Sequence, residues 1–487
     1  MKKVSLLILT LIFLVSSIFV SCSKNKNQQK TKSNESQQVQ LRIWIMPNSS
    51  KPAEDLNEIL KPFLEENPNI KVKVEVLDWG AAWTKITTAA TSGDAPDLVQ
   101  LGTTWTSLIT GMNALLPLDD LAKEVGGESA FVKGLWTYAK PVFSKHVTSL
   151  PWIVDVRPLY YRKDVFEKVG IKLDDIKDWE GFKKALEKIK KANLVIDGQK
   201  VAPIGYPGKN DWNVVHNLAP WIWMAGGDII SEYGDSVLLD SPQTLKGVMY
   251  YISFVKDGLM PKDYLEKNTA QLSVEFDQGR IATWFEPTSK YIYLNKPPEQ
   301  GGASNTIGAK NYGVALPPAG PAGRILFLGG SNLAIFKSTK HPEEAKKLLK
   351  FLTTDIDAQI GYFQKCGLLP AYKAAFNDPY FTDDPIRRVF KEMTEYGKAY
   401  PSVPYWAEIE TSVLTVSFGD IFEYIKLTPN DKINKKDIAK ILKDAANRIR
   451  NIIAKDLKEH PEHKAIIDSL KAAQQNKVEA KANTTKK

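Results

Sequence analysis

The stretch LPWIVDVRPLYYRKDVF, residues 150–166, decides how this chain is put together. It opens with a Pro among bulky apolar residues and carries Asp155 and Arg157 in its middle. It then passes a second Pro and resumes as the β-prone run Leu159, Tyr160, Tyr161. Charges in near-apolar extended chain are costly unless they pair or face a cavity. Two arrangements meet that condition. One is a partly solvated edge strand with a surface ion pair. The other is a strand that crosses between two lobes and offers Asp155 and Arg157 to a cleft. The pair Lys163 and Asp164 then opens a helix.

At 487 residues the chain exceeds one ordinary core, so two or more lobes are expected. The net charge of +9 invites a nucleic-acid reading, but its location argues against one. Residues 1–21, 22–40 and 471–487 carry excesses of +2, +3 and +4, which leaves 41–470 formally neutral. A neutral body with basic ends is not a phosphate-tracking surface, so no nucleic-acid partner is expected. Two Cys are too few for a disulfide framework, and they lack metal-ligand spacing. His460 and His463 read as a solvent-like pair, so neither a metal nor a cofactor is expected.

The N-terminus has Lys2 and Lys3, a charge-free run from Val4 to Val20, and then Phe19-Val20-Ser21-Cys22. Residues 1–21 read as a secretory signal, and the last four residues resemble a bacterial lipobox in which Cys22 is acylated. Such an anchor buries about 0.8 kcal/mol per methylene. Residues 22–40 are Lys, Asn, Gln and Ser, a flexible tether. From Val39 the pattern runs strand, helix, strand, helix, strand, with strands ending near Pro47, Asp78 and Gly102. That order predicts a doubly wound α/β lobe with its ligand outside the strand ends. Trp44, Met46, Asn48, Asp78, Trp79, Trp83, Thr103, Thr104 and Trp105 stand there. Several Trp at loop tips exceed what packing alone asks of loops.

Further segments complete a family resemblance. They are FLEENPNIKVKVE (63–75), TSGDAPDLVQL (91–101), LPWIVDVRPLYYRKDVFEKVGI (150–171), DWEGFKKALEKI (178–189), FDQGRIATWFEP (276–287), the return segment 312–353 and GLLPAY (367–372). Together with the first strand and its Trp44, in this order, they resemble the extracellular solute-binding proteins of bacterial ABC importers, of the maltose- and glycerol-phosphate-binding type. Arg162 departs from the pattern, which has Asn there. The resemblance implies an α/β, two-lobe periplasmic-binding-protein-like fold of type II. Each lobe would be a mixed sheet flanked by helices, with the ligand cleft between them. Lobe one would hold 41–150 and 319–365. Lobe two would hold 151–318 and the helices of 366–470, and 471–487 would be a disordered basic tail. The crossovers would fall at 150–156 and 315–321, with a third passage at 367–370.

The resemblance also implies a reversible binder that delivers its solute to permease subunits, outside the cytoplasm and held to the membrane by lipid, as a monomer. The candidate set adds Trp212 on an exposed loop, Trp221 and Trp223 in LAPWIWM, Glu286, Gly330, Ser331 and Asn332 of the return segment, Trp406 and Glu410. A sugar ring, with an apolar face and a polar edge, suits Trp beside carboxylate, amide and guanidinium groups. A phosphate ligand would call for converging Arg or Lys, and Arg157 is the one cleft cation the sequence places. A secreted glycoside hydrolase is the alternative. It would use two carboxylates from Asp155, Glu286, Glu408 and Glu410 about 5–5.5 Å apart. The chain has no GxSxG, GxxxxGK or HExxH. Cys366 reads as a free, buried thiol.

Overall fold

The structure is a computed structural model and describes residues 38–484 except 197, 210 and 212. The signal, Cys22 and Trp212 lie outside the described residues. Ten strands form the two main sheets. In chain order they are β1 (Val39–Ile45), β2 (Ile70–Val76), β3 (Leu98–Gly102), β4 (Leu150–Asp155), β5 (Leu159–Arg162), β6 (Ala202–Gly205), β7 (Ile281–Phe285), β8 (Tyr312–Ala315), β9 (Gly329–Ile335) and β10 (Leu369–Pro370). The first sheet has the order β10-β4-β9-β3-β1-β2 and the second β8-β5-β7-β6.

The local patterns explain the order. β3 is buried along its whole length and lies between β1 and β9, whereas β2 alternates Ile70 inward with Lys71 and Lys73 outward and forms the edge. β1, β2 and β3 run parallel, linked by helices, as the alternating pattern predicts. β9 runs antiparallel to both of its neighbours, β3 and β4, so the sheet is mixed.

The expected first crossover at 150–156 is corrected. Pro151 looks like a boundary because a Pro cannot donate to a ladder. Here the pairing of β9 with β4 shifts register between Ser331 and Asn332, so that Asn332 faces Pro151 and Ser331 faces Ile153. That bulge at Trp152 accommodates the Pro, and the Trp152 carbonyl is taken up by Gln359 Nε2 and Ala371 N. All of 150–155 therefore belongs to the first sheet, and the chain crosses at Val156, Arg157 and Pro158. β10 also pairs with β4, so 369–370 stays in the first lobe. The later helix Pro385–Met393 packs on β8 of the second.

Arg162 has a clear role. It is fully buried, donates from Nη1 to the Gly279 carbonyl at 2.9 Å, and forms a forked pair with Asp164 at 2.7 and 2.5 Å. It ties β5 to the turn before β7 and to the helix Lys163–Val169.

Two expected polar segments are also corrected. The tether ends earlier than residue 40, because β1 starts at Val39. Residues 471–484 of the basic tail are helical, within Pro461–Thr484. Pro461 opens this Ala-rich helix, Ile467 is buried, Lys471 pairs with Asp235, and Gln474 accepts from the Tyr233 hydroxyl at 3.1 Å. Among the described residues, no helix is long and apolar enough to cross a membrane.

Candidate functional site

The ends of the first-sheet strands converge on a cavity of about 250 Å³. Pro47 and Asn48 follow β1, and Thr103, Thr104 and Trp105 form a short 3-10 turn after β3. Trp79 opens the helix Trp79–Ser92, whose N-cap is Asp78, accepting from Gly80 N at 2.8 Å. Asp155 ends β4, and Gly330 and Ser331 start β9. The facing wall carries Asn213 and His216 from the helix Val214–Met224 and its cap, together with Ser289 and Phe327.

A buried amide sets the floor. Gln100 on β3 accepts from Met46 N at 2.8 Å and Asn48 Nδ2 at 2.9 Å, and donates to Ser331 Oγ at 2.9 Å. Three strand ends are thereby fixed to one another. Gly330 has φ +131°, and a Cβ there would lie 2.0 Å from the Ile153 carbonyl oxygen, so only glycine fits.

Asp155 and Arg157 behave differently from each other. Arg157 is 9% exposed and is held by Asn217, by Asn213 at 2.8 Å and by Asp155 at a loose 3.5 Å. It also lies over the Phe327 ring, 5.5 Å from the centroid. It lines a small cavity of about 40 Å³ behind the cleft and not the cleft itself, which corrects its reading as a cleft cation. Asp155 remains 20% exposed, and its Oδ1 is buried with no hydrogen-bond partner. That oxygen is an acceptor without a donor at the cleft wall.

Three titratable groups stand near the crossing. Burial pushes the Glu286 carboxyl up to about 8, against the pull of Lys290 and Arg157. Burial likewise pushes Glu410 up to about 7. His216 is held well below the usual imidazole range, by burial first and Arg157 second. Its Nε2 lies 3.4 Å from Glu410 Oε1, and its Nδ1 is 3.0 Å from the Tyr400 hydroxyl. A neutral imidazole beside a carboxyl that keeps its proton avoids an uncompensated buried charge.

Of the expected residues, Trp79, Thr104, Trp105, Asp155, Gly330 and Ser331 line the cleft. Trp83 is one ring further out, its centroid 5.4 Å from that of Trp105. Asp78 is an exposed cap. Five expected contacts are corrected. Trp44 is buried beside Met46 and Ile86, donates to Glu75 at 2.9 Å and is covered by Lys85. Trp221 sits in an aromatic cluster with Trp179, Tyr250 and Phe254. Trp223 donates to Asp228 at 2.8 Å, and Trp406 stacks on Tyr400 at 4.3 Å. Asn332 is wholly buried and donates to Ser149 Oγ at 2.8 Å. Each of the four Trp is at most 4% exposed.

The cleft residues that sequence reasoning did not choose are Asn213, His216, Ser289, Phe327 and Leu368, whereas the strand-end rule does pick out Asn48 and Thr103. His216 is not accessible to that rule, because its partners Tyr400 and Glu410 are remote in sequence. His460, Glu462 and His463 meet at a helix junction, with ligand-capable atoms within 4.8 Å of one another. Cys366 is a free, buried thiol pushed up to about 12 by burial.

This geometry, two sheets around a cleft built from strand ends, recurs in known proteins. The sugar-binding protein MalE of Xanthomonas citri superposes with a TM-score of 0.70 at 23% identity, over 85% of this chain and 98% of that one. In sequence, a binding protein of Brucella abortus is 28% identical over 419 residues, 85% of this chain and 94% of its own. The diacetylchitobiose binding protein DasA of Streptomyces coelicolor is 26% identical over 379 residues, 76% of this chain and 81% of its own. Residues 48–359, well over half of the chain, match the model of the bacterial extracellular solute-binding proteins. The chain therefore belongs to the bacterial extracellular solute-binding protein family.

Proposed function

We propose that this protein captures a carbohydrate, a di- or oligosaccharide, in its interlobe cleft and delivers it to the permease of an ABC importer. The observation that carries the ligand class is Asp155 Oδ1, a buried acceptor without a partner, on the same wall as the half-exposed rings of Trp79 and Trp105. A carboxylate bonds hydroxyls strongly, and an indole face packs on the apolar face of a sugar ring. None of the described residues lining the cleft is Lys or Arg, and Arg157 is already engaged by two Asn and Asp155. That weighs against a phosphate ligand. The likeness to a protein named for diacetylchitobiose binding supports the sugar reading.

In this reading the protein works as an extracytoplasmic monomer, anchored through an acylated Cys22, and returns its ligand unchanged. Substituting Cys22→Ala is expected to release it from membranes, and mass spectrometry of the mature N-terminus checks the acyl group.

A thermal-shift panel tests the ligand class, with neutral oligosaccharides on one arm and sn-glycerol 3-phosphate on the other. A sugar at 100 times its dissociation constant adds about 2.7 kcal/mol. Stabilisation by the phosphate and by no sugar would overturn the reading. Steady release of hydrolysis products, lost in Glu286→Gln or Glu410→Gln, would favour the hydrolase instead.

A further inference from the structure

The cleft does not end at Trp105. A groove of about 810 Å³, more than three times the cleft volume, shares Trp79 and Trp105 with it and runs outward past Trp83. The Trp105 ring lies 5.4 Å from both Trp79 and Trp83, so the three indoles form one continuous aromatic strip from cleft to groove. All three are half-exposed, and the helix Trp79–Ser92 and the 3-10 turn Thr103–Trp105 fix them on rigid elements. The rest of the lining mixes apolar Leu108, Pro404 and Ala407 with polar groups, Glu408, Thr411 and Ser412, all three exposed, on a helical run that widens to a π-helix at Ile409–Leu414. Single-turn π segments lie at functional sites more often than elsewhere. Aromatic faces together with hydroxyl and carboxylate groups are the same pairing that the cleft offers to a sugar.

We infer that this groove takes the sugar units that follow the one held in the cleft, so that the ligand is an oligosaccharide longer than a disaccharide, laid along Trp79, Trp105 and Trp83. The inference rests on the carbohydrate reading and adds chain length and direction to it. The cleft volume falls just below the range of about 300–1,000 Å³ usual for small-molecule sites, and the groove fills the upper part of that range. The bulk of the recognition space is therefore in the groove. Trp79 and Trp105 belong to the lining of both.

Calorimetric titration of the mature protein with malto- and chito-oligosaccharides of two to six units tests this. Affinity is expected to rise beyond the disaccharide in one of the series. Trp83→Ala removes a stacked aromatic face, so its loss should grow with chain length to about tenfold. Thr411→Trp, at an exposed position of the lining, obstructs the groove and should abolish the gain from length while the disaccharide still binds. Affinity independent of length, or equal losses at every length in both variants, would overturn this inference and leave the sugar reading standing. Failure to bind any member of either series would overturn both.

Discussion

Tryptophans that follow the strand ends of the first sheet and tryptophans within the elements of the second lobe meet opposite fates. Trp79, Trp83 and Trp105, after the strands of the first sheet, are half-exposed and line cleft and groove. Trp221 and Trp223 on the helix Val214–Met224, and Trp284 on β7, are at most 3% exposed. The residue type is the same, and the difference lies in the elements that carry it. A ring that follows a parallel strand end, at the mouth of the sheet, has solvent in front of it. A helix that is apolar on all sides, as VVHNLAPWIWM is, must be buried on all sides. The two walls of the cleft differ in the same way. The first lobe presents aromatic faces and an open acceptor, and the second presents amides and an imidazole already committed to Arg157, Tyr400 and Glu410.

Substitution separates the two groups most strongly. Trp223→Ala opens a core cavity and removes one of the donors to Asp228, so it is expected to cost about 3–5 kcal/mol of stability. Trp79→Ala should cost far less stability and act on sugar affinity. Denaturant midpoints of the two variants check this, and equal losses of stability would erase the distinction. Arg162→Ala comes next, at about 3 kcal/mol, because it leaves the Gly279 carbonyl and part of Asp164 unpaired while Asp164 keeps some solvent. The same denaturant series checks it, and an unchanged midpoint would refute the buried tie.

A third effect on stability is its pH dependence. Glu410 and Glu286 are raised from 4.5 to about 7 and about 8. The native state then holds protons that the unfolded state has released, so their contribution is complete below about pH 4.5 and is lost as pH rises through 7–8. His216, lowered in the fold, works in reverse: its contribution is complete above the usual imidazole pKa of about 6.5 and is lost as pH falls below it. Thermal melts of Glu286→Gln should show a flatter decline between pH 5 and 8 than the parent. An unchanged slope would contradict the raised carboxyl.

Much of this was legible in the sequence. Period-two alternation marked β1 and β2, and the ordered segments from residue 63 to residue 372 carried the family resemblance. What escaped depended on contacts made at long range. Pro151 looked like a boundary because its bulge is made by β9, far along the chain. The role of Arg162 rests on Gly279, and the His216 cluster on Tyr400 and Glu410. The last helix lacks a sustained apolar stripe, so its composition read as tail. The strand-end rule singles out Trp79, Trp83 and Trp105, which line cleft and groove, yet it also took in Trp44, which sits inside β1 and not after it.

The central claim is that the first lobe's open acceptor, Asp155, holds the ligand. Calorimetric titration of Asp155→Ala with the sugar found by the panel tests it most directly. Asp174→Ala serves as the control, since its side chain is 81% exposed and its ion-pair partner is Lys177. Loss of one charge-assisted bond, about 1.5–3 kcal/mol, predicts affinity weakened roughly ten- to a hundredfold in Asp155→Ala and unchanged in the control. Equal, small changes in both variants would show that Asp155 merely accompanies Arg157 in a structural pair.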